Sequence, residues 1–156
     1  MTQVAFHLNV PATPQGWRAY VCRLLAKAHA ARARVWVAVA DADLAALDEA
    51  LWTLPADDFV PHVRWDAAAL LVQRSPIVLA PPTVSPPGPR GVVVNVQPQW
   101  LDWLDQGAPP TRVIEIVSTD DEAKAAARQR WRRYQQLGWD PQAYDRAARA
   151  GAPAGA

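Results

Sequence analysis

The sequence predicts an α/β fold: one three-layer sandwich in which helices cover a mostly parallel sheet, with a mixed sheet as the alternative. Apolar runs typical of buried strands alternate with segments whose apolar residues recur at helical spacing. The length of 156 residues suffices for one domain with its own core. We expect that domain to span residues 1–150 and residues 151–156 to form a flexible tail.

The first half of the chain contains two strand–helix pairs. The apolar stretches 4–10 (VAFHLNV) and 35–40 (VWVAVA) predict strands. A helix is predicted over 14–31, where a proline suits the first turn. A second helix is predicted to begin at Asp41 or Asp43, either of which can cap it, and to end near residue 54. This alternation favours parallel strands.

The second half is predicted to add three strands, at 77–80, 92–96 and 112–117. The stiff, proline-rich loop 81–91 is short enough for the first two of these strands to pair as a hairpin, which is why a mixed sheet stays open. Short helices are predicted over 99–106 and 141–150.

The closing long helix has clear boundary signals. Thr119 at the N-cap and Glu122 at N3 form a capping-box pattern. Gly138 suits the position after the helix end, and Pro141 follows shortly. The apolar side predicted to face the core carries Ala123, Ala127, Tyr134 and Leu137.

The motifs of common enzyme classes are absent from the sequence. It has neither a G-x-x-x-x-G-K-[ST] phosphate loop nor a G-x-G-x-x-G turn, so we predict a Rossmann-like layout without a nucleotide-binding loop. His7, His29 and His62 lie far apart, and Cys22 is the only cysteine, which disfavours a metal site. We therefore expect no catalytic residue, metal or cofactor.

Charge and hydropathy place further limits on function. The formal net charge is +1, so a global field for nucleic acid or membrane is not expected. Neither a signal peptide nor an apolar run of membrane-spanning length is evident, and the single cysteine fits a reducing cytoplasm.

Residues 124–139 (KAAARQRWRRYQQLGW) contain the most informative pattern. Five basic residues fall within ten positions, without an acid among them. Three of them, Lys124, Arg128 and Arg132, form one stripe at i, i+4 and i+8, and Trp131 adjoins it. Three interpretations stay open: a solvated basic face, a single-stranded nucleic-acid site, or a site for an acidic peptide with an apolar end.

The run 47–62 (LDEALWTLPADDFVPH) resembles the stretch typical of DNA polymerase III chi subunits, in which an LDEALW helix is followed by FVPH. The opening strand, with its FHL triplet, and the closing segment ARQRWRRY are also similar to that family. Trp131 stands where the family usually has Tyr.

The resemblance implies an α/β accessory subunit without catalytic activity, acting at the cytoplasmic replisome. Such subunits bind the acidic C-terminal tail of single-stranded DNA-binding protein, which ends in Pro-Phe, and the psi subunit of the clamp loader, so that DNA contact is indirect. By position, the tail carboxylates would be held by Lys124, Arg128 and Arg132. Val117 and Trp131 would line the pocket for the terminal Phe.

Two aromatic residues in the matching run point to a second surface. Trp52 and Phe59 would contact psi or another partner, with core packing as the alternative. For the whole chain, the alternative function is direct binding of single-stranded nucleic acid through the basic helix.

Overall fold

A computed structural model describes residues 2–146, which form seven strands and four α-helices. The strands are Gln3–Val10 (β1), Val35–Ala38 (β2), Val63–Arg64 (β3), Ile77–Ala80 (β4), Val92–Asn95 (β5), Arg112–Ser118 (β6) and Asp140–Asp145 (β7). The helices are Pro14–Ala30 (α1), Asp41–Trp52 (α2), Ala69–Arg74 (α3) and Asp121–Gln136 (α4). The predicted tail, 151–156, lies outside the described residues.

All seven strands belong to one parallel sheet, in the order β3-β4-β2-β5-β6-β1-β7. The predicted α/β fold is confirmed, and the sheet is parallel rather than mixed. The alternative that β4 and β5 pair as a hairpin is excluded, because β2 lies between those two strands and pairs with both. The proline-rich loop 81–91 is instead a crossover connection: it returns the chain from the carboxyl end of β4 to the amino end of β5, so that the two strands run parallel.

Two sequence-predicted elements differ in kind. Residues 99–106 form consecutive turns rather than a helix. Residues 141–145 of the helix predicted over 141–150 belong to β7, and residues 147–150 of that prediction lie outside the described part. Pro141 is tolerated there because β7 pairs only with β1 and lies at the sheet edge.

The helix starts follow local chemistry only in part. Thr13 caps α1 by accepting a hydrogen bond from the Gly16 amide, and Pro14 occupies the first turn, as predicted. The caps predicted elsewhere are wrong. Ala40 precedes α2, so Asp41 falls inside its first turn, and α4 begins one residue late, with Asp120 rather than Thr119 at the N-cap and no side-chain cap bond.

The end of α4 is a Schellman motif, in agreement with the predicted role of Gly138. Its φ is +77°, its amide donates to the Gln135 carbonyl at 3.0 Å, and the Trp139 amide donates to the Tyr134 carbonyl at 3.0 Å. The Tyr134 and Trp139 rings stack with centroids 5.8 Å apart, which adds the apolar contact usual for this motif. The motif thus closes α4 and directs the chain into β7.

The core lies on both faces of the sheet. One cluster, under α1 and α2, includes Leu25, Leu47 and Ile114; we call this side the α1–α2 face. The other cluster, under α4, includes Phe6, Val113 and Tyr134; we call this side the α4 face. The two long α1 and α2 helices and the basic helix α4 therefore lie on opposite sides of the sheet.

Strand β1 changes face near its end. Phe6 and Leu8 pack on the α4 face, whereas Val10, which shares their parity, packs on the α1–α2 face. The register with β6 shifts just before Val10, and Asn9 has a φ of +59°. The left-handed conformation of Asn9 at this register shift interrupts the alternation, and the Asn9 side-chain amide donates to the Asp145 carboxylate of β7 at 2.7 Å.

The proline-rich loop 81–91 is anchored by hydrogen bonds. The Trp36 indole donates to the Val84 carbonyl at 3.3 Å, and the Trp103 indole donates to the Pro82 carbonyl at 3.0 Å. Arg90 is buried and donates to the Ser75 carbonyl at 2.7 Å. Burial, together with the nearby Arg34, lowers the pKa of Arg90 to about 10. The loop is therefore part of the packed structure.

Candidate functional site: a basic-rimmed groove

A groove of about 580 Å³ lies between β1, β6 and α4 on the α4 face. Its floor is apolar and consists of Phe6, Leu8, Val117 and Ala127. The volume falls in the range of sites that take a small ligand or the end of a peptide. We call this cavity the basic-rimmed groove, because its rim consists of Lys124, Arg128, Arg132, Gln135 and the indole of Trp131.

The floor and wall are held by aromatic packing. Phe6 is fully buried, and its ring lies 5.1 Å from that of Trp131 and 5.8 Å from that of Tyr134. Trp131 is half-buried, so one part of its indole packs against Phe6 and another part stays open to the groove. The groove can therefore bury an apolar side chain against a surface that is already ordered.

The rim cations have no counter-charge in the part of the chain that the structure describes. Within residues 2–146, none of Lys124, Arg128 and Arg132 forms an ion pair. The two arginines are exposed, whereas Lys124 is half-buried at the groove. Cations spaced one helical turn apart repel one another, and an anion bound between them relieves that repulsion.

A buried network holds α4 on the sheet. Glu115 of β6 is fully buried and accepts hydrogen bonds from Arg130 Nε at 3.1 Å, Asn95 Nδ2 at 3.0 Å and the Tyr134 hydroxyl at 2.6 Å. Arg130 also donates to the Pro98 carbonyl. The network joins β5, β6 and α4, so it determines where the rim residues stand above the floor.

Burial controls the ionisation of this network. It raises the pKa of Glu115, against the opposing effects of the Arg130 charge and of the three donors. Burial, followed by the Glu115 charge, raises the pKa of Tyr134 well above its usual value, so the hydroxyl stays a donor at neutral pH. Arg130 was counted among the five basic residues of 124–139 but not in the stripe, and the structure shows it buried and paired with Glu115.

The structure brings together all five residues that the sequence assigned to the tail site, Val117, Lys124, Arg128, Trp131 and Arg132. It adds residues that sequence reasoning missed: Phe6, Leu8, Asn9, Ala127 and Gln135. The first three of these lie on β1, which neighbours β6 only in the folded sheet.

The predicted core-facing side of α4 is right for Ala127 and Tyr134, which are buried, whereas Leu137 is 36% exposed.

The second predicted surface is separate from the groove. Trp52 and Phe59 are exposed, so the alternative of core packing is wrong for both. Their rings lie 5.5 Å apart, and the Trp52 ring lies 5.1 Å from that of His62. His62 is buried and fixed at both nitrogens, by the Val60 carbonyl at 2.7 Å and by Asp48 at 3.0 Å. The exposed aromatic pair thus rests on a rigid base.

Other chemistries have little support among residues 2–146. No group of three or more potential metal-ligating His, Cys, Asp or Glu side chains occurs within that range. Cys22 is buried, and burial raises the pKa of its thiol, which disfavours a nucleophile. Within the same range, no helix has the length and apolar character needed to cross a bilayer.

Comparison with solved structures supports the fold. The chain matches the C-terminal domain of the DEAD-box protein Dbp5 with a TM-score of 0.56, over 92% of this chain and 90% of that one, at 10% identity. A likeness at this identity concerns the fold alone, a Rossmann-like or RecA-like parallel sheet flanked by helices.

Sequence comparison identifies the family. The model described as "DNA polymerase III chi subunit, HolC" matches residues 1–142. DNA polymerase III subunit chi of Escherichia coli (strain K12) is 30% identical over 121 residues, 77% of this chain and 79% of the relative. The subunit of the same name from Pseudomonas aeruginosa is 28% identical over 141 residues, 89% of this chain and 93% of the relative. With the resemblance in 47–62 and the fold in agreement, this chain belongs to the DNA polymerase III chi subunit family, whose members are accessory subunits of the replicative polymerase.

Proposed function

We propose that this protein is a non-catalytic adaptor that binds the acidic C-terminal tail of single-stranded DNA-binding protein in the basic-rimmed groove. The observation that carries the proposal is the combination of an apolar floor with a rim of cations that form no ion pair within residues 2–146. The terminal Phe of the tail would lie over Phe6 and Val117, beside Trp131, while its carboxylates meet Arg128 and Arg132. Neither half of the groove alone would select for a chain end that is both apolar and anionic.

The expected affinity is moderate. Charge-assisted hydrogen bonds contribute about 1.5–3 kcal/mol each. Burial of one Phe side chain contributes roughly 1.5–3 kcal/mol. Ordering a flexible tail opposes both contributions. The balance corresponds to micromolar binding, about −8 kcal/mol, which suits repeated exchange of partners during replication.

The second surface completes the adaptor. We assign Trp52 and Phe59 to the contact with the psi subunit of the clamp loader or with another partner. Trp52 is the last residue of α2 and Phe59 follows that helix, on the α1–α2 face near β4, whereas the basic-rimmed groove lies over β1 and β6 on the opposite face. β4 and β1 are four strand spacings apart, roughly 19 Å. Two partners could therefore bind at once. In the cytoplasmic replisome, this protein would contact DNA only indirectly, through single-stranded DNA-binding protein.

Replacing one rim arginine tests the tail site. Arg128→Ala should weaken binding of a labelled acidic peptide ending in Asp-Ile-Pro-Phe by about tenfold or more, because one charge-assisted contact is lost. Arg23→Ala is the matched control. Arg23 is exposed on α1, so this substitution removes the same charge from the opposite face of the sheet. Fluorescence anisotropy gives both affinities. Equal affinities for the two variants would show that the groove is not the tail site.

A further inference from the structure

A second groove runs along the other flank of α4. It has a volume of about 620 Å³ and lies between α4 and the turn region that follows β5. Its lining is polar where it meets solvent: Gln99, Gln129, Arg132, Arg133 and Gln136. We call it the polar groove. Arg132 lines both this groove and the basic-rimmed groove, so the two cavities meet at that side chain.

Arg133 is already ordered for binding an anion in the polar groove. Its guanidinium lies 4.5 Å from the centroid of the Trp100 ring, and Nη2 lies 3.6 Å from the Asp105 carboxylate. Stacking fixes the guanidinium plane, and the long contact to Asp105 leaves most of its five N–H donors free. The half-exposed side chain can therefore accept a second carboxylate with little further loss of entropy.

We propose that an acidic peptide, held by its apolar C-terminal end in the basic-rimmed groove, crosses α4 at Arg132 and places its upstream carboxylates in the polar groove against Arg133 and Gln129. The proposal rests on the proposed function and extends it from a pocket for a chain end to a path for a longer acidic segment. Charge complementarity and the shared Arg132 favour this occupant.

The length of the peptide determines which groove it reaches. A helix with its side chains is about 10 Å wide, and an extended chain advances about 3.3–3.6 Å per residue. Three or four residues are therefore needed to cross α4 from the terminal pocket. Residues farther from the C-terminus than about the fourth should be those that contact the polar groove.

The test reverses the charge at one exposed position. Gln129→Glu should weaken, and Gln129→Lys should tighten, the binding of a nine-residue peptide in which five Asp precede Asp-Ile-Pro-Phe, by about threefold each. A second nine-residue peptide with five Ser in place of those Asp should bind all forms alike. Gln15→Glu and Gln15→Lys, at an exposed position of α1, are the matched controls for charge and should leave both affinities unchanged.

The outcomes separate the two claims. If Gln129 charge affects neither peptide, or affects the Asp and Ser peptides equally, the path over α4 is wrong while the terminal pocket stands. If the wild-type protein binds neither peptide, or binds both as well after the terminal Phe is removed, the proposed function itself fails and the path fails with it. Opposite shifts confined to the Asp peptide would establish the path.

Discussion

Tyr134 is the residue through which we expect the buried network to stabilise the protein. Its hydroxyl donates to Glu115 Oε2 at 2.6 Å, and its ring is fully buried among Phe6, Trp100 and Trp139. Tyr134→Phe keeps the ring contacts and removes only the donor. A buried carboxylate oxygen then loses a charge-assisted hydrogen bond, worth about 1.5–3 kcal/mol.

The size of the effect can be measured against a matched substitution. For a chain of this length, about 2 kcal/mol lowers the melting temperature by roughly 4–8 °C. Tyr144→Phe is the control, because Tyr144 is 44% exposed on β7. This variant should change the free energy of unfolding by no more than about 0.5 kcal/mol. Urea denaturation followed by circular dichroism compares the two variants. The reasoning is refuted if Tyr134→Phe is as stable as Tyr144→Phe.

Three further predictions concern α4, its buried acid and the second surface. Gly138→Ala should lower the free energy of unfolding by about 1 kcal/mol, because φ is +77°, whereas Gly88→Ala, at a position with open space and no positive φ, should not; urea denaturation of both variants decides. The raised pKa of Glu115 means that its contribution to stability is fully present below its ordinary pKa of about 4.5 and is lost as pH rises through the folded value. Glu115→Gln removes this titration, so the free energy of unfolding of the variant minus that of the wild type should rise with pH above 4.5, and a flat difference would contradict the assignment. The double variant Trp52→Ala/Phe59→Ala should lose binding to the psi subunit in a pull-down while its tail affinity stays within about twofold; a parallel loss of both would contradict separate surfaces.

Much of the fold was predictable because buried parallel strands are nearly continuous apolar runs. β2, β4 and β5 have this character and were predicted at nearly their observed bounds. β7 was not, because an edge strand pairs on one side only and can be polar; its sequence, DPQAYD, reads as a turn or a helix start. The hairpin alternative stayed open for a similar reason, since a short loop does not reveal that another strand separates the two it joins.

The α4 half of the groove was predictable from helical periodicity alone. The spacing of Lys124, Arg128 and Arg132 predicts one face in any α-helix. The β1 half was not, because its nearness to β6 depends on strand order. The burial of Arg130 depends in the same way on Glu115 facing α4, although one sequence signal was present: a single carboxylate inside the apolar strand RVIEIV needs a buried partner.

The most direct test of the central claim is an anisotropy titration of this protein into two labelled acidic peptides, one ending in Asp-Ile-Pro-Phe and one lacking that Phe. The basic-rimmed groove predicts micromolar binding of the first peptide and loss of binding to the second, because the apolar floor is then left unfilled. Equal binding of both peptides would contradict the account and favour direct recognition of anions, including single-stranded nucleic acid, by the basic face of α4.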